Sequence, residues 1–143
     1  MSAVLDPLQA TFKIGASGLE AQSRRLRVLS ENLANAQATG KTPGADPYAR
    51  KTISFESELD EATGTNLVKV AGIDRHRAPF RTEHNPSHPA ADANGFVKLP
   101  NVDIMVEVAD MREANRSYEA NLQVIKQARD MISMTIDLLR SNS

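Results

Sequence analysis

Apolar residues recur every three or four positions in two long segments, one towards each end of the chain. In residues 7–39 this spacing forms a heptad seam, made of Leu8, Phe12, Gly15, Leu19, Gln22, Leu26, Leu29, Leu33 and Ala36. Asp6 suits an N-cap, Pro7 suits the first helical position, and Gly40 suits the residue after the helix end. The pattern predicts a helix on the order of 45–50 Å long.

Residues 101–140 carry the same spacing. Its apolar members are interrupted by two polar residues, and the seam consists of Ile104, Val108, Met111, Asn115, Tyr118, Leu122, Ile125, Arg129, Ile132, Ile136 and Leu139. Asn101 or Asp103 is expected to cap the start. Glu107 in the early turns and Arg140 at the end have the signs that the helix dipole favours. A second long helix is predicted.

The segment between the two predicted helices, residues 40–100, has a different character. It holds most of the prolines and several glycines, and strand-like residues cluster at 48–56, 67–74 and 96–99. Turns are expected at Gly64 and at Asn94-Gly95. The composition predicts a small β-rich module that buries little surface by itself.

These elements predict a mainly α fold with a small β-rich insert. Its long N- and C-terminal helices pair as an antiparallel coiled coil, because both leave the same central β/irregular module. The expected division is an N-terminal helix at 1–40, a central module at 41–100 and a C-terminal helix at 101–143, with the two helices forming one discontinuous domain. The basic cluster Arg24, Arg25 and Arg27 is expected near Asp110 and Glu113.

Apolar residues also flank the two seams, namely Val28, Val106, Val124 and Met131. One hairpin of helices buries one seam of each helix, so these flanking residues are expected to need further partners. On physical grounds alone, packing inside one small bundle and coiled-coil assembly between molecules both remain open.

Composition and charge exclude several classes of protein. The net charge is -1 and the pI is about 6.3, which argues against the strongly basic surface of a nucleic-acid binder. Cysteine is absent, which excludes disulfides and thiolate sites. The N-terminus has neither the basic start nor the apolar run of a cleaved secretory signal, and no segment has the length of apolar residues that membrane insertion requires. These features indicate a cytosolic protein unless export uses an uncleaved signal.

Candidate chemistry is sparse. His84 and His88 have the spacing of helical zinc ligands, but Pro86 lies between them and excludes a helix there. The acidic residues Glu56, Glu58, Asp60 and Glu61 lack the spacing of a calcium loop, so a solvated face is expected. We therefore predict no catalytic residues, no metal site, no cofactor and no enzymatic activity.

Three passages resemble one known family. Residues 16–40 are similar to the N-terminal signature of flagellar rod and hook proteins, through Ser30, Asn32, Leu33, Ala34, Asn35, Thr39 and Gly40. Residues 117–139 resemble the C-terminal signature of that family, through Tyr118, Glu119, Ala120 and Asn121. Residues 85–103 resemble its proximal-rod members. Many relatives place a tyrosine directly after the Thr-x-Gly turn, whereas here it is displaced to Tyr48.

The resemblance implies a structural subunit of the bacterial flagellar basal body, polymerising into the proximal rod that transmits torque for motility. It also implies export through the type III apparatus without a cleavable signal peptide, and a periplasmic location. The implied partners are other rod proteins, copies of itself, the export apparatus and the MS-ring or rod-base proteins, with no nucleic acid and no direct membrane insertion. The alternative is a coiled-coil adaptor or chaperone-like binding module.

The seams and signatures together predict the helix-pairing and assembly interface. Its members are Leu19, Leu26, Leu29, Asn32, Leu33, Asn35, Met111, Asn115, Tyr118, Asn121, Leu122, Ile125, Ile132 and Ile136. The amides of the four asparagines are expected to form hydrogen bonds across helices and to set the register of pairing.

Overall fold

The chain begins and ends with a long helix, and four strands lie between the two helices in sequence. This confirms the predicted mainly α fold with a β insert. The computed structural model describes the backbone of residues 2–143 and the side chains of residues 6–143. The order of elements is α1 (Ser2–Ala34), β1 (Lys51–Asp60), β2 (Thr65–Arg75), β3 (Arg81–His84), β4 (Phe96–Leu99) and α2 (Ile104–Ser141).

Helix α1 begins and ends earlier than predicted. Its first described residue is Ser2, so Asp6 and Pro7 lie inside the helix and Asp6 is not its N-cap. The helix ends at Ala34, where the backbone tightens: the amide of Ala36 donates to the carbonyl of Leu33. Gly40 therefore does not end the helix. Its missing side chain serves a close approach, because a Cβ there would lie 2.7 Å from the Cβ of Ala45.

Helix α2 starts as the sequence predicts. Asp103 precedes its first residue, and the Oδ1 of Asp103 accepts a hydrogen bond of 3.0 Å from the amide of Met105. This is the N-cap geometry, since the side chain satisfies one of the free amides of the first turn. Asn101, the alternative cap, has other hydrogen-bond partners.

The strands form two separate two-stranded sheets. β1 pairs with β2, and the two are joined by residues 61–64, where Gly64 has a φ of 66°. β3 pairs with β4 antiparallel, from Arg81 opposite Leu99 to His84 opposite Phe96. β3 has the sequence Arg-Thr-Glu-His and was not predicted as a strand because it contains no apolar residue. In the structure all four of its residues are exposed.

The chain divides into two units. Unit 1 contains the described residues up to Arg25, together with 54–71 and 113–143; unit 2 contains 26–53 and 72–112. Unit 2 has an aliphatic core, and its buried members include Val28, Leu29, Val97 and Val102. In unit 1, every described residue that is buried is glycine or alanine: Gly15, Gly18, Ala21, Ala114 and Ala128.

Candidate functional site

A cluster of polar side chains surrounds two buried ones in unit 2, Asn32 and Glu107. We call it the polar cluster: Asn32, Tyr48, Arg50, Lys51 and Glu107. The side chain of Asn32 is at its centre and makes four hydrogen bonds. Its Oδ1 accepts from the Tyr48 hydroxyl at 2.8 Å and from the Lys51 amide at 2.8 Å. Its Nδ2 donates to the Lys51 carbonyl at 2.9 Å and to Glu107 Oε2 at 3.1 Å. Both donors and both acceptors of the amide are therefore used.

Glu107 is the charged member of the polar cluster that has no exposed surface (0%). Its Oε1 accepts from Arg50 Nε and its Oε2 accepts from Asn32. A carboxylate removed from water requires such partners, because the loss of hydration is otherwise uncompensated. Glu107 was predicted as a charge favoured by the helix dipole, and in the structure it is also a buried ion-pair partner of Arg50.

Lys51 extends the polar cluster towards solvent. Its ammonium group lies 2.8 Å from the carboxylate of Glu31. This hydrogen bond raises the pKa of Lys51 and lowers the pKa of Glu31, so both charges are retained across neutral pH. The pKa of Tyr48 is raised, chiefly because burial disfavours the phenolate. The hydroxyl therefore remains a donor to Asn32.

A second asparagine side chain fixes the same stretch of backbone from another direction. The Oδ1 of Asn101 accepts from the Arg50 amide at 2.7 Å, and its Nδ2 donates to the carbonyls of His76 and Ala78. The displaced tyrosine is held as well, since the Tyr48 amide donates to the Ala38 carbonyl at 2.9 Å. Residues 48–51, which lead into β1, are thus bound to the end of α1 and the start of α2.

In unit 1 the two helices run antiparallel and in close contact. A Cβ added at Gly15 would lie 2.9 Å from Ile125 Cγ1, and one added at Gly18 would lie 2.6 Å from Asn121 Oδ1. Arg25 forms an ion pair of 3.4 Å with Glu113. The small residues of α1 therefore permit the backbones to approach, and this explains why glycines persist in a helix at a cost of about 1 kcal/mol each relative to alanine.

We expect Gly18→Ala to be approximately neutral or destabilising in the native sequence and stabilising when Asn121 is also alanine. The new methyl group meets the far end of the Asn121 side chain, so removal of that side chain provides the space. The helix-propensity gain of about 1 kcal/mol then becomes visible. Thermal unfolding of the two single variants and the double variant, followed by circular dichroism, measures the coupling. Strict additivity of the three values would contradict the contact.

The outer surface of α2 in unit 1 carries apolar side chains. Val124, Met131, Met134 and Leu138 are exposed, and with Gln127 they continue a spacing of three and four residues. We call Val124, Met131, Met134 and Leu138 the outer stripe. This spacing places the stripe along one side of the helix, as in a second coiled-coil seam. Among the flanking residues noted in the sequence, Val28 is buried in unit 2, whereas Val106, Val124 and Met131 are exposed as expected.

The predicted interface residues occupy three kinds of environment. Two of them, Leu29 and Asn32, are buried in unit 2. Ten are half-buried: Leu19, Leu26, Leu33, Asn35, Met111, Tyr118, Asn121, Leu122, Ile125 and Ile132. Asn115 and Ile136 are exposed. Their part in contacts between molecules remains a prediction.

Three of the predicted asparagines, Asn32, Asn35 and Asn121, form side-chain hydrogen bonds within the subunit. Asn32 binds Glu107 of the other helix. Asn35, in the turn after α1, donates instead to the carbonyl of Glu31, and Asn121 donates to the carbonyl of Ser117 one turn earlier in α2. The expected proximity of the basic cluster to α2 holds for Arg25 and Glu113, while Asp110 lies 3.7 Å from Arg50.

The histidine pair is not helical. His84 ends β3, where its ring packs against Phe96 with centroids 5.1 Å apart, and His88 Nδ1 accepts from the Ala90 amide. Over the described part of the chain, no three metal-ligating side chains are grouped in a way that could hold an ion. Within the same residues, neither helix combines the length and the apolar composition needed to cross a membrane.

Several members of the polar cluster were not predicted from the sequence. Arg50 and Lys51 resemble ordinary surface charges, and a charged Glu107 in a first helical turn suggests exposure. A signal was present in Tyr48, because a tyrosine hydroxyl that becomes buried needs a hydrogen-bond partner. The structure identifies that partner as Asn32.

Comparisons with known proteins agree with the two terminal signatures. A family described as "Flagella basal body rod protein" matches residues 12–40, and one described as "Flagellar basal body rod FlgEFG protein C-terminal" matches residues 93–138. The matched segments include Asn32 in α1 and Asn35 just after it, and Glu107 and the outer stripe in α2.

Similarity to individual proteins extends over nearly the whole chain. The flagellar basal-body rod protein FlgC of Agrobacterium fabrum is 59% identical over 96% of this chain and 99% of its own length. FlgC of Salmonella typhimurium is 41% identical over 89% of this chain and 94% of its own. FlgC of Borreliella burgdorferi is 33% identical over 93% and 98%.

Proposed function

Because this chain belongs to the FlgC family of flagellar basal-body rod proteins, we propose that it polymerises into the proximal part of the rod and there transmits torque. The observation that carries this function is the 59% identity to a rod protein over 96% of the chain. The chain is a structural subunit of the basal-body rod.

The outer stripe is the proposed assembly surface of unit 1. Its four side chains are large and apolar, while the residues of the same unit that are described as buried are glycine and alanine. A subunit whose large apolar groups point outwards gains most of its burial from neighbours. The neighbour proposed for this stripe is an amphipathic helix of another rod subunit, which presents an aliphatic seam of the same spacing.

A rod also requires each subunit to use two different surfaces. An open helical assembly forms when a surface on one molecule binds a different surface on the next, so that the contact repeats without closing. We propose that the second surface includes the exposed apolar residues at the start of α2, Ile104, Met105 and Val106. The partners are other rod proteins and copies of this chain, with the MS-ring or rod-base proteins at the base.

Export through the flagellar type III apparatus and assembly in the periplasm complete the proposal. Such export requires an unfolded chain. Because the apolar core of each unit is modest, the free energy of unfolding is expected to be small. The coiled-coil adaptor considered from the sequence is not favoured, since the relatives are named as rod proteins. Their structural role also supports the proposal that the chain is not an enzyme.

The proposed function is tested in the bacterium that encodes the chain. Deletion of the gene is expected to abolish motility, and a plasmid-borne copy to restore it. A cryo-EM map of purified basal bodies is then expected to show α1 and α2 within the rod, near its base. Basal bodies with a complete rod that lacks this chain would refute the proposal.

A further inference from the structure

The turn that leads into β4 contains a chemically labile pair of residues. Asn94 is followed by Gly95, and among the nine asparagines of the chain it is the one that precedes a glycine. An asparagine side chain reacts with the backbone nitrogen of the next residue, and glycine in that place has no Cβ to obstruct the approach. Asn94 is exposed in the subunit, so water reaches its side-chain amide.

In the folded turn, the nitrogen that would react is engaged in a hydrogen bond. The amide of Gly95 donates to the carbonyl of Asp92 at 3.0 Å, and Gly95 itself is buried. Gly95 has a φ of 82°, a backbone conformation that glycine adopts at little cost. The carbonyl of Gly95 accepts from the amide of Asn85 at 2.9 Å, so both polar groups of its backbone are bound.

The side chain of Asp92 holds the rest of the turn. Its Oδ1 accepts from the amide of Asn94 at 2.9 Å and from the amide of Phe96 at 3.0 Å. The Asp92 amide also donates to the Phe96 carbonyl. One carboxylate therefore fixes the backbone on both sides of the labile pair. The N–H of Gly95 stays bound to the Asp92 carbonyl, and this bond disfavours loss of its proton.

We propose that Asn94 is a site of spontaneous deamidation that the folded turn keeps closed and the unfolded chain leaves open. In the reaction, the Gly95 nitrogen gives up its proton and bonds to Cγ of Asn94. The side-chain nitrogen takes up a proton and leaves as ammonia, which completes a succinimide ring. Water then opens the ring at either carbonyl carbon. Cleavage at Cγ gives aspartate, and cleavage at the backbone carbonyl gives isoaspartate.

The isoaspartate product does not fit the turn. Its main chain runs through the side-chain carbon and is therefore longer, so the amide and carbonyl of Gly95 move away from Asp92 and Asn85. Both products also place a new carboxylate close to that of Asp92. These hydrogen bonds close the loop that joins β3 to β4. The proposed function includes export of an unfolded chain, and it is in this state that the site is open.

Mass spectrometry of the purified full-length chain tests the proposal. One sample is kept folded and another is unfolded in guanidinium chloride, both in the same mildly alkaline buffer. Trypsin cleaves after Arg81 and Lys98, which places the site in one peptide, residues 82–98. We expect Asn94 to be converted to aspartate and isoaspartate at least about 10-fold faster in the unfolded sample. Equal rates in the two samples, or an unmodified Asn94 in the unfolded sample, would overturn the proposal.

The same peptide contains an internal control. Asn85 precedes Pro86, whose nitrogen carries no proton and cannot attack the asparagine side chain. Asn85 is therefore expected to stay unmodified in both samples. Modification of Asn85 at the rate of Asn94 would mean that water hydrolyses the side-chain amides directly, and it would overturn the ring-closure mechanism.

Asp92→Ala tests the role of the turn. The variant keeps Asn94 and Gly95 but loses the acceptor of the Asn94 and Phe96 amides. We expect deamidation in the folded state to rise about 10-fold, while circular dichroism shows that the helices remain. Asp92→Ser, whose hydroxyl also accepts a hydrogen bond, is expected to lie between the native chain and Asp92→Ala.

A folded-state rate that is the same in all three chains would overturn the role of Asp92 in closing the site. The comparison of folded and unfolded native chain needs no variant, so it stands even where Asp92→Ala does not fold. All measurements use purified protein, so their outcome does not depend on whether the chain is later found in the rod.

Discussion

Asn32→Ala is expected to lower the free energy of unfolding by about 3–5 kcal/mol. The substitution removes four hydrogen bonds at once and leaves their partners in place. Among these partners, the amide and carbonyl of Lys51 lose an interaction that resembles pairing with a neighbouring strand. Glu107 keeps Arg50 but has no donor for its second oxygen. A buried polar group without a partner has lost its hydrogen bonds to water and gained none in return. Its cost in free energy is therefore larger than the net stabilisation that one hydrogen bond provides.

The matched control lies three residues further along. Asn35 belongs to the same signature, but its side chain donates only to the nearby Glu31 carbonyl in the last turn of α1. Asn35→Ala is therefore expected to change the free energy of unfolding by less than about 1 kcal/mol. Urea denaturation followed by circular dichroism measures both variants. If Asn35→Ala were the more destabilising of the two, the assignment of Asn32 as the centre of the polar cluster would be wrong.

The helices were predictable because their seams extend over many turns. The seam of residues 104–139 is long enough to predict a helix in spite of its two polar members, Asn115 and Arg129. The cap at Asp103 was predictable because it needs only one side chain and one free backbone amide. The start of α1 was not predictable in the same way. Asp6 followed by Pro7 is a strong start signal, yet the structure extends the helix through both residues to Ser2.

The polar cluster and β3 show what pattern analysis cannot provide. β3 is a strand because its backbone pairs with β4. Its side chains Arg81, Thr82 and Glu83 are all polar and give no alternation of apolar and polar residues that would predict a strand. Glu107 is buried because Arg50 and Asn32 come to it from distant parts of the chain. Periodicity reports on neighbours along one element, whereas both features depend on partners brought together by the fold.

Leu29 is unsuitable for a test of assembly because of its place within the subunit. It lies in the heptad seam and was predicted as an assembly residue, but it is buried within unit 2. A charged substitution there would damage the subunit itself, and a loss of assembly would have two explanations. A variant in the outer stripe distinguishes damage to the subunit from loss of a contact between subunits, because the outer stripe is exposed before assembly and is proposed to be covered afterwards.

Met131→Glu is accordingly expected to abolish rod assembly while leaving the free subunit unchanged. Met131 is 53% exposed, so the carboxylate remains hydrated in the monomer and the unfolding curve should coincide with that of the native protein. Once covered by a neighbouring helix, an unpaired carboxylate costs several kcal/mol, and this cost recurs at every equivalent contact. Motility in a strain lacking the native gene, together with electron microscopy of basal bodies, measures the effect.

Ser133→Glu is the matched control for this charge. It adds the same group two residues away, about 200° around the helix, at an exposed position outside the outer stripe. We expect this strain to remain motile, and we expect Met131→Leu, which keeps the apolar surface, to do so as well. Complete rods in the Met131→Glu strain would remove the outer stripe from the assembly surface. Loss of rods in both glutamate strains would mean that added charge, rather than its position, disrupts the assembly.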